Sequence, residues 1–263
     1  MKPIKRELGT CYYPEHWPVV IWKDDAQKMA DLGLKWVRIG EFAWSRLEPQ
    51  ETEFCFEWLD RAVHILGEAG LSVVLGTPTA APPTWVLKKY PDMLAVDPEG
   101  RPREFGSRRH YCFSHEGYRE QCSIIVRKLA ERYGSNPYIE AWQTDNEYGC
   151  HDTTISYSSS ALKSFQHWLA KVYGNDVNKL NEDWGNVFGQ WSTKVMMRYV
   201  CQISLLLNQT LHTHWLFGDL QVRKCLLSIE FKPKLLENIR LHQLSTISWV
   251  VLLISITLKS EKI

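Results

Sequence analysis

The sequence predicts an α/β fold built on a parallel sheet, and two observations lead to this prediction. Short runs rich in β-branched and aromatic residues alternate with amphipathic helical segments over residues 1–188. A glycine closes most of the helical segments, as at Gly33, Gly70 and Gly174. Alternation of this kind gives either a closed barrel or a doubly wound sheet. The barrel is favoured because no GxGxxG or GxxxxGK[ST] motif follows any of the predicted strands.

The alternating pattern predicts four strands and four helices. The strands are expected at residues 8–13, 34–39, 71–76 and 138–144. Each helix is predicted from an apolar stripe at helical spacing: Trp22, Ala26, Met29 and Ala30; Leu59, Ala62, Val63 and Leu66; Cys122, Ile125, Leu129 and Tyr133; Leu162, Phe165, Leu169 and Val172. Together they form four strand–helix units, whereas a complete (β/α)8 barrel has eight.

A long connection from Thr77 to Glu116 separates the third strand from the third of these helices. It contains several prolines and aromatic residues, and towards its end it carries a basic cluster of Arg101, Arg103, Arg108, Arg109 and His110. A loop of this length in a compact domain is usually functional. Because it follows a strand, we expect it at the carboxyl end of the barrel, where active sites lie.

Composition divides the chain in two. The 263 residues carry a net charge of +1 and are 44% hydrophobic, which excludes a disordered chain and a basic protein that coats nucleic acid. Residues 189–263 contain nine Lys or Arg and four Asp or Glu, against 22 and 26 in residues 1–188. We therefore treat 1–188 as one domain and 189–263 as an unrelated tail.

The cysteines and the first residues predict a cytoplasmic location. Seven cysteines are an odd number without a CxxC pair, which is typical of a reduced intracellular protein. The opening residues, MKPIKREL, are basic, but no apolar core with a cleavage site follows, so no signal peptide is expected.

The segment from Ile139 to His151 carries the most specific chemistry. It reads IEAWQTDNEYGCH, an apolar strand that ends in Asp145, Asn146 and Glu147. A carboxylate at this place points into the mouth of a parallel sheet, where neighbouring groups can tune it to act as a general acid. The adjacent amide can hold a sugar hydroxyl. From these residues alone, Glu147 as a solvated loop acid is an open alternative.

Five segments together resemble the β-galactosidases of glycoside hydrolase family 42. They are GTCYYPEHWP (Gly9 to Pro18), WVRIGEFAWSRLEP (Trp36 to Pro49), LGTPTAAPPTWVLKKYPDML (Leu75 to Leu94), FGSRRHYCFS (Phe105 to Ser114) and WQTDNEYGCHDT (Trp142 to Thr153). The resemblance extends over residues 8–188. It implies a (β/α)8 TIM barrel, of which about the first four strand–helix units are present, and retaining hydrolysis of terminal β-D-galactosides.

The same resemblance assigns roles to individual residues. Glu147 matches the acid/base, and Asn146 matches the donor to the 2-hydroxyl of the substrate. Arg108 matches an arginine that contacts the substrate, and its fixed fork of donors suits that role. Arg109 as a supporting residue and Glu41 as a pocket residue stay open beside structural ion pairing. The expected partner is a β-galactoside, without cofactor, nucleic acid or membrane, and intact family members are often homo-oligomeric.

Some family members carry a zinc site made of four cysteines. Cys112 matches one of the four positions, and Ser156, Ser158 and Ala161 stand at the other three. Serine is a poor zinc ligand compared with a thiolate. We therefore expect no metal in this chain.

The tail lacks the second carboxylate that retaining glycosidases need as a nucleophile, about 5–5.5 Å from the first. Resemblance ends within 181–188, and Glu230, Glu237 and Glu261 lie in no matching motif. Written back into permitted codons and shifted in frame, His214 to Val222 (HWLFGDLQV) gives Leu-Ala-Phe-Trp-Arg-Phe-Ala-Ser, which resembles the family downstream. This pattern predicts a frameshift near Phe188, open sheet edges, poor folding and no turnover.

Two alternatives accompany this prediction. The first is a remnant that binds galactosides without cleaving them. The second is a tail that associates with a membrane through the apolar segment from Ile247 to Leu258. That segment spans only 12 residues, whereas a membrane helix needs about 20.

Overall fold

The computed structural model describes residues 7–106, 108–148 and 155–183 and the pair Ile254–Ser255. These residues belong to two compact units. The first unit takes its described residues from 7–89, 121–146 and 254–255, and the second takes them from 90–120 and 147–183. The predicted tail, 189–263, lies outside the described residues apart from the pair.

The first unit is built on a parallel sheet. Its strands are β1 (Leu8–Cys11), β2 (Leu34–Ile39), β3 (Ser72–Gly76) and β4 (Ile139–Gln143), which pair in chain order. A two-residue strand, β5 (Ile254–Ser255), pairs antiparallel with β4 and was not predicted. Every residue of β3 is buried, as expected for a strand covered on both faces. The four predicted strands are confirmed, and the sheet is that of a partial (β/α) barrel.

Seven α-helices accompany these strands among the described residues: α1 (Trp22–Asp31), α2 (Trp44–Leu47), α3 (Glu57–Glu68), α4 (Thr84–Lys89), α5 (Glu116–Tyr133), α6 (Ser159–Tyr173) and α7 (Val177–Asp183). The predicted apolar stripes of α3 and α5 are fully confirmed, since all eight of their residues are buried. In α1 the buried residues are Trp22 and Ala26. The short helices α2, α4 and α7 were not predicted, because each is too short to show a helical period.

Helices α3 and α5 are joined by a polar clamp. The Arg132 guanidinium binds both carboxylate oxygens of Asp60, with an Nε to Oδ1 distance of 2.9 Å. The Tyr133 hydroxyl donates to the same Asp60 Oδ1 at 2.8 Å. The hydrogen bonds from Arg132 lower the pKa of Asp60, which is the direction expected for a carboxylate held by a cation.

The buried face of α6 in the second unit differs from the predicted stripe. Phe165 and Leu169 are buried as predicted, but Val172 is 48% exposed, so its assignment to the core was wrong. Ala161 occupies the buried face instead, because residues 161, 165 and 169 are each four apart and so lie on one side of the helix. The helix begins at a Ser158 cap and ends at Gly174 with φ +58°.

The connection from Thr77 to Glu116 is more structured than a loop. In the first unit it contains a 3-10 turn at Pro78–Ala80 and then α4. In the second unit it contains a further 3-10 turn and two isolated bridges, Leu94 with Tyr111 and Val96 with Pro102. The interpretation of this segment as one long loop was therefore wrong.

Among the described residues, no helix is both long and apolar enough to cross a membrane. The apolar segment at 247–258 lies outside the described residues except for Ile254–Ser255, which form the short strand β5.

Candidate active site

Polar side chains follow each strand of the parallel sheet in the first unit. Tyr13 comes after β1, Glu41 after β2, Thr77 after β3, and Asp145 with Asn146 after β4. The carboxyl ends of parallel strands meet at one edge of the sheet, where active sites of this architecture lie. Hydrogen bonds connect these side chains, so they form one polar cluster.

Glu41 lies at the centre of one half of this cluster. Its carboxylate pairs with Arg38 at 2.9 Å and accepts a hydrogen bond from the Tyr13 hydroxyl at 3.0 Å. Burial and the charge of Glu41 raise the pKa of Tyr13, so the phenol stays protonated and donates. Glu41 is fully buried, so the structural ion pair that was left open as its role is present.

The approach of Glu41 to the sheet depends on a glycine at the end of β3. A Cβ atom at Gly76 would lie 2.6 Å from the Cβ of Glu41 and 2.8 Å from its Cα. Such contacts are far inside van der Waals separation, so only glycine permits this packing. Gly76 therefore places the Arg38–Glu41 pair against the sheet.

Asp145 fixes the turn that follows β4. Its backbone is left-handed, with φ 58°, and its side chain is fully buried. The Thr79 hydroxyl donates to Asp145 Oδ2 at 2.8 Å, and the Asp145 N–H donates to the Thr77 hydroxyl at 2.7 Å. A non-glycine residue in this conformation is held there by its surroundings. The two threonines supply that constraint.

Gln143, the last residue of β4, connects Asn146 to Arg38. Its Oε1 accepts a hydrogen bond from Arg38 Nη1 at 2.9 Å. Its Nε2 donates to the Asp145 carbonyl oxygen at 2.9 Å and to Asn146 Oδ1 at 3.2 Å. Asn146 is 5% exposed, so this contact orients a nearly buried amide.

The second unit contains the two other residues that the sequence singled out. Arg108 Nη1 lies 3.1 Å from Glu147 Oε2, and the two side chains are 39% and 45% exposed. Glu147 also has a left-handed backbone, with φ 49°. Residues 39 positions apart in sequence are thus brought into direct contact, and Glu147 follows Asn146 directly in the chain.

Arg109 differs from its neighbour Arg108 in its environment. It is fully buried, and its guanidinium carbon lies 5.5 Å from the centre of the Phe113 ring and 5.6 Å from that of Tyr148. Both distances are in the range of cation–π contacts. Arg109 therefore packs against two aromatic rings of the same unit, and its role as a supporting residue stays a prediction.

The four positions that match a zinc site are buried in the second unit. Cys112 and Ala161 belong to one apolar cluster with Phe165. The Ser156 hydroxyl accepts the Val96 N–H at 3.1 Å, and the Ser158 hydroxyl caps α6 by accepting the Ala161 N–H at 3.2 Å. These residues do not fit a zinc ion, because both hydroxyls are committed to backbone donors and only one thiol is present.

In the described part of the chain, no group of three or more His, Cys, Asp or Glu side chains is arranged to hold a metal ion. The four cysteines that this part includes, Cys11, Cys55, Cys112 and Cys122, are free thiols. Cys150 and His151 lie outside the described residues.

The sequence did not single out Arg38, Gln143 or Thr79 as site residues, and it assigned no role to Asp145. Their contacts join residues 66 to 105 positions apart, which local pattern does not reveal. One signal was available: Gln143 is a polar residue at the end of an otherwise apolar strand, directly before the Asp-Asn-Glu run.

The parallel sheet, its polar carboxyl edge and the Asn146–Glu147 pair after β4 define a partial barrel of the glycoside hydrolase class. A family model described as beta-galactosidase, that of glycoside hydrolase family 42, matches residues 11–198. The chain therefore belongs to glycoside hydrolase family 42.

Curated relatives agree with this assignment. The chain is 54% identical over 187 residues to a β-galactosidase from Thermus thermophilus, an alignment that covers 71% of this chain and 28% of the relative. It is 50% identical over 185 residues to a β-galactosidase from Halorubrum lacusprofundi, covering 70% of this chain and 26% of that protein. The chain thus spans just over a quarter of the length of these relatives.

Solved structures give the same result for the fold. A β-galactosidase from the psychrophilic Marinomonas ef1 superposes with a TM-score of 0.68 and 44% identity, covering 84% of this chain and 35% of that one. The catalytic domain of a β-amylase from Paenibacillus polymyxa superposes with a TM-score of 0.53 at 13% identity, covering 84% of this chain and 62% of that domain. The second likeness concerns the fold alone.

Proposed function

We propose that the chain is the amino-terminal half of a retaining β-galactosidase barrel that acts on terminal β-D-galactosides, with Glu147 as the acid/base. This proposal rests on the contact between Arg108 and Glu147. Glu147 is the fourth residue after the end of β4. The contact joins the two charged residues that the family resemblance assigns to the substrate pocket. The relatives named as β-galactosidases support the substrate class.

Each of the three residues has a chemical role in the proposal. Glu147 protonates the glycosidic oxygen as the bond to the leaving group breaks, and then accepts a proton from the attacking water. Asn146 donates its side-chain amide to the 2-hydroxyl. Arg108 holds the Glu147 carboxylate through Nη1, and a guanidinium is a group suited to binding sugar hydroxyls.

We further propose that the 263-residue chain binds galactosides without hydrolysing them. Retention requires a second carboxylate as nucleophile about 5–5.5 Å from the acid/base. Curated relatives extend well beyond the matched segment, and the glutamates of the tail lie in no motif of the family. The proposed nucleophile therefore belongs to a part of the barrel that the residues after the match do not encode.

The tail itself is the product of a changed reading frame in this proposal. The shift is placed near Phe188, where the resemblance of the sequence motifs ends, and the family match extends ten residues further, to residue 198. Resequencing the locus tests the point directly. A single-base insertion or deletion near codon 188 supports the shift, whereas an intact frame contradicts it.

Binding is tested by titrating methyl β-D-galactopyranoside into the purified chain and its Arg108→Met variant. We expect millimolar binding by the chain and a loss of about tenfold in the variant, equivalent to one charge-assisted hydrogen bond. Arg101→Met is the matched control, because Arg101 is an exposed arginine of the same unit that pairs with Asp97. Equal affinity in all three proteins would overturn the assignment of Arg108.

Location and assembly remain predictions. The cysteine composition predicts a cytoplasmic protein, and intact family members predict homo-oligomers. Sedimentation velocity on the purified chain measures the second of these.

A further inference from the structure

We infer that Gln143 is a positioning residue that determines which end of the Asn146 amide is available to the sugar. The inference rests on the proposed function for its substrate but on the ligand-free structure for its geometry. Gln143 lies between a cation and Asn146, and hydrogen-bond chemistry permits this chain of contacts in one direction only.

The direction of these hydrogen bonds is set by Arg38. A guanidinium carries only donors, so the Gln143 atom 2.9 Å from Arg38 Nη1 must be the carbonyl oxygen Oε1. The Gln143 amide nitrogen is thereby turned towards the end of the strand. There it donates to the Asp145 carbonyl oxygen and to Asn146 Oδ1.

The same reasoning fixes the orientation of the Asn146 side-chain amide. Because Gln143 presents a donor, the Asn146 atom that receives it must be the acceptor Oδ1. The Asn146 amide nitrogen Nδ2 is then the group left for a ligand, and within the residues that the structure describes it donates no hydrogen bond. Arg38 is itself held by Glu41, so the starting point of the chain is anchored.

The consequence for recognition concerns the substituent at C2 of the sugar. An amide presented as a donor binds a group that accepts, such as the oxygen of a hydroxyl. A hydroxyl both donates and accepts, so it can bind either end of the amide, whereas a fluorine at C2 can only accept. Gln143 thus lets the site tolerate 2-deoxy-2-fluorogalactose, which an amide turned the other way would repel, without touching the sugar itself.

The ligand-free test is the exchange of side-chain amide protons, measured by NMR on the deuterated, 15N-labelled chain. We expect the Gln143 amide protons to be protected and those of Asn146 to exchange rapidly. In Gln143→Glu the new carboxylate keeps the contact with Arg38 but offers an oxygen to Asn146. The Asn146 amide should therefore turn over, and its protons should become protected. Unchanged exchange of Asn146 in this variant would overturn the inference.

The ligand test compares affinities for galactose and 2-deoxy-2-fluorogalactose. The unmodified chain should bind the two sugars within about threefold, because the Asn146 N–H meets an acceptor in both. Gln143→Glu turns the Asn146 oxygen towards the ligand, so the variant should bind galactose through its donating hydroxyl and the fluorosugar at least about tenfold more weakly. A merely structural effect would weaken both sugars equally and leave the ratio intact, which would contradict a positioning role.

The two tests separate this inference from the proposed function. If the unmodified chain binds neither sugar but shows the expected exchange pattern, the proposed galactoside binding fails and the positioning of Asn146 stands. If it binds galactose and the exchange pattern is absent, the positioning role fails and the proposed function stands.

Discussion

Replacing Thr79 by valine should loosen the turn that carries Asn146. The Thr79 hydroxyl donates to the buried Asp145 carboxylate at 2.8 Å, and valine keeps the volume of threonine but removes the donor. Loss of a hydrogen bond to a buried charged group costs about 1.5–3 kcal/mol. We therefore expect the free energy of unfolding to fall by about 2 kcal/mol. Urea denaturation followed by tryptophan fluorescence measures this loss. The slope of the unfolding free energy against urea concentration should stay unchanged.

Thr79→Ser is the matched control for this prediction. Serine keeps the donor and loses one buried methyl group, at a cost of about 1 kcal/mol. If packing alone determined stability at this position, valine would be the milder substitution. A valine variant at least as stable as the serine variant would refute the hydrogen-bond account of the turn.

Three further predictions concern stability. Gly67→Ala should destabilise the chain by about 1–3 kcal/mol, although alanine is the better helix former, because a Cβ atom at 67 would lie 2.1 Å from the Tyr138 ring. Urea denaturation measures the loss, and a second change, Tyr138→Ala, should remove most of it. Asp60 has a lowered pKa because Arg132 donates to it, so its stabilising contribution is present above the unfolded pKa and declines as the pH falls through the folded pKa. Asp60→Asn should therefore flatten the acid limb of the stability profile below about pH 5, measured by thermal melts across pH. Finally, adding EDTA should leave the melting temperature unchanged, because the residues matching a zinc site do not fit the ion; a clear decrease would contradict that assignment.

The sequence predicts the sheet well because its signals are local. The strands β2 and β3 are apolar runs rich in β-branched residues, and each follows a glycine, Gly33 or Gly70, that ends a helical segment. Burial in a parallel sheet requires such runs, so the pattern and the structure coincide. The resemblance to the family added the barrel, which local pattern had left open beside a doubly wound sheet.

The buried face of α6 was less predictable. The stripe that included Val172 and the actual face that includes Ala161 differ by a small rotation of the helix, and both are apolar in sequence. Which of them is buried depends on the cluster around Cys112, that is, on residues distant in the chain. Local periodicity cannot distinguish two such neighbouring faces.

The candidate site likewise contains residues that local sequence identifies and contacts that only the fold determines. Asn146 and Glu147 are adjacent at the end of an apolar strand, and this short motif identifies them. The supporting contacts of Arg38, Gln143 and Thr79 connect different strands, so they follow from the fold and not from the motif. Only the structure shows that the Asn146 amide has an imposed direction.

The most direct test of the account is the release of p-nitrophenol from p-nitrophenyl β-D-galactopyranoside by the purified 263-residue chain and its Glu147→Gln variant. The account predicts that the chain binds the galactoside and releases no p-nitrophenol above the variant's background. Steady hydrolysis by the unmodified chain that Glu147→Gln abolishes would contradict it, because a nucleophile would then be present in these 263 residues.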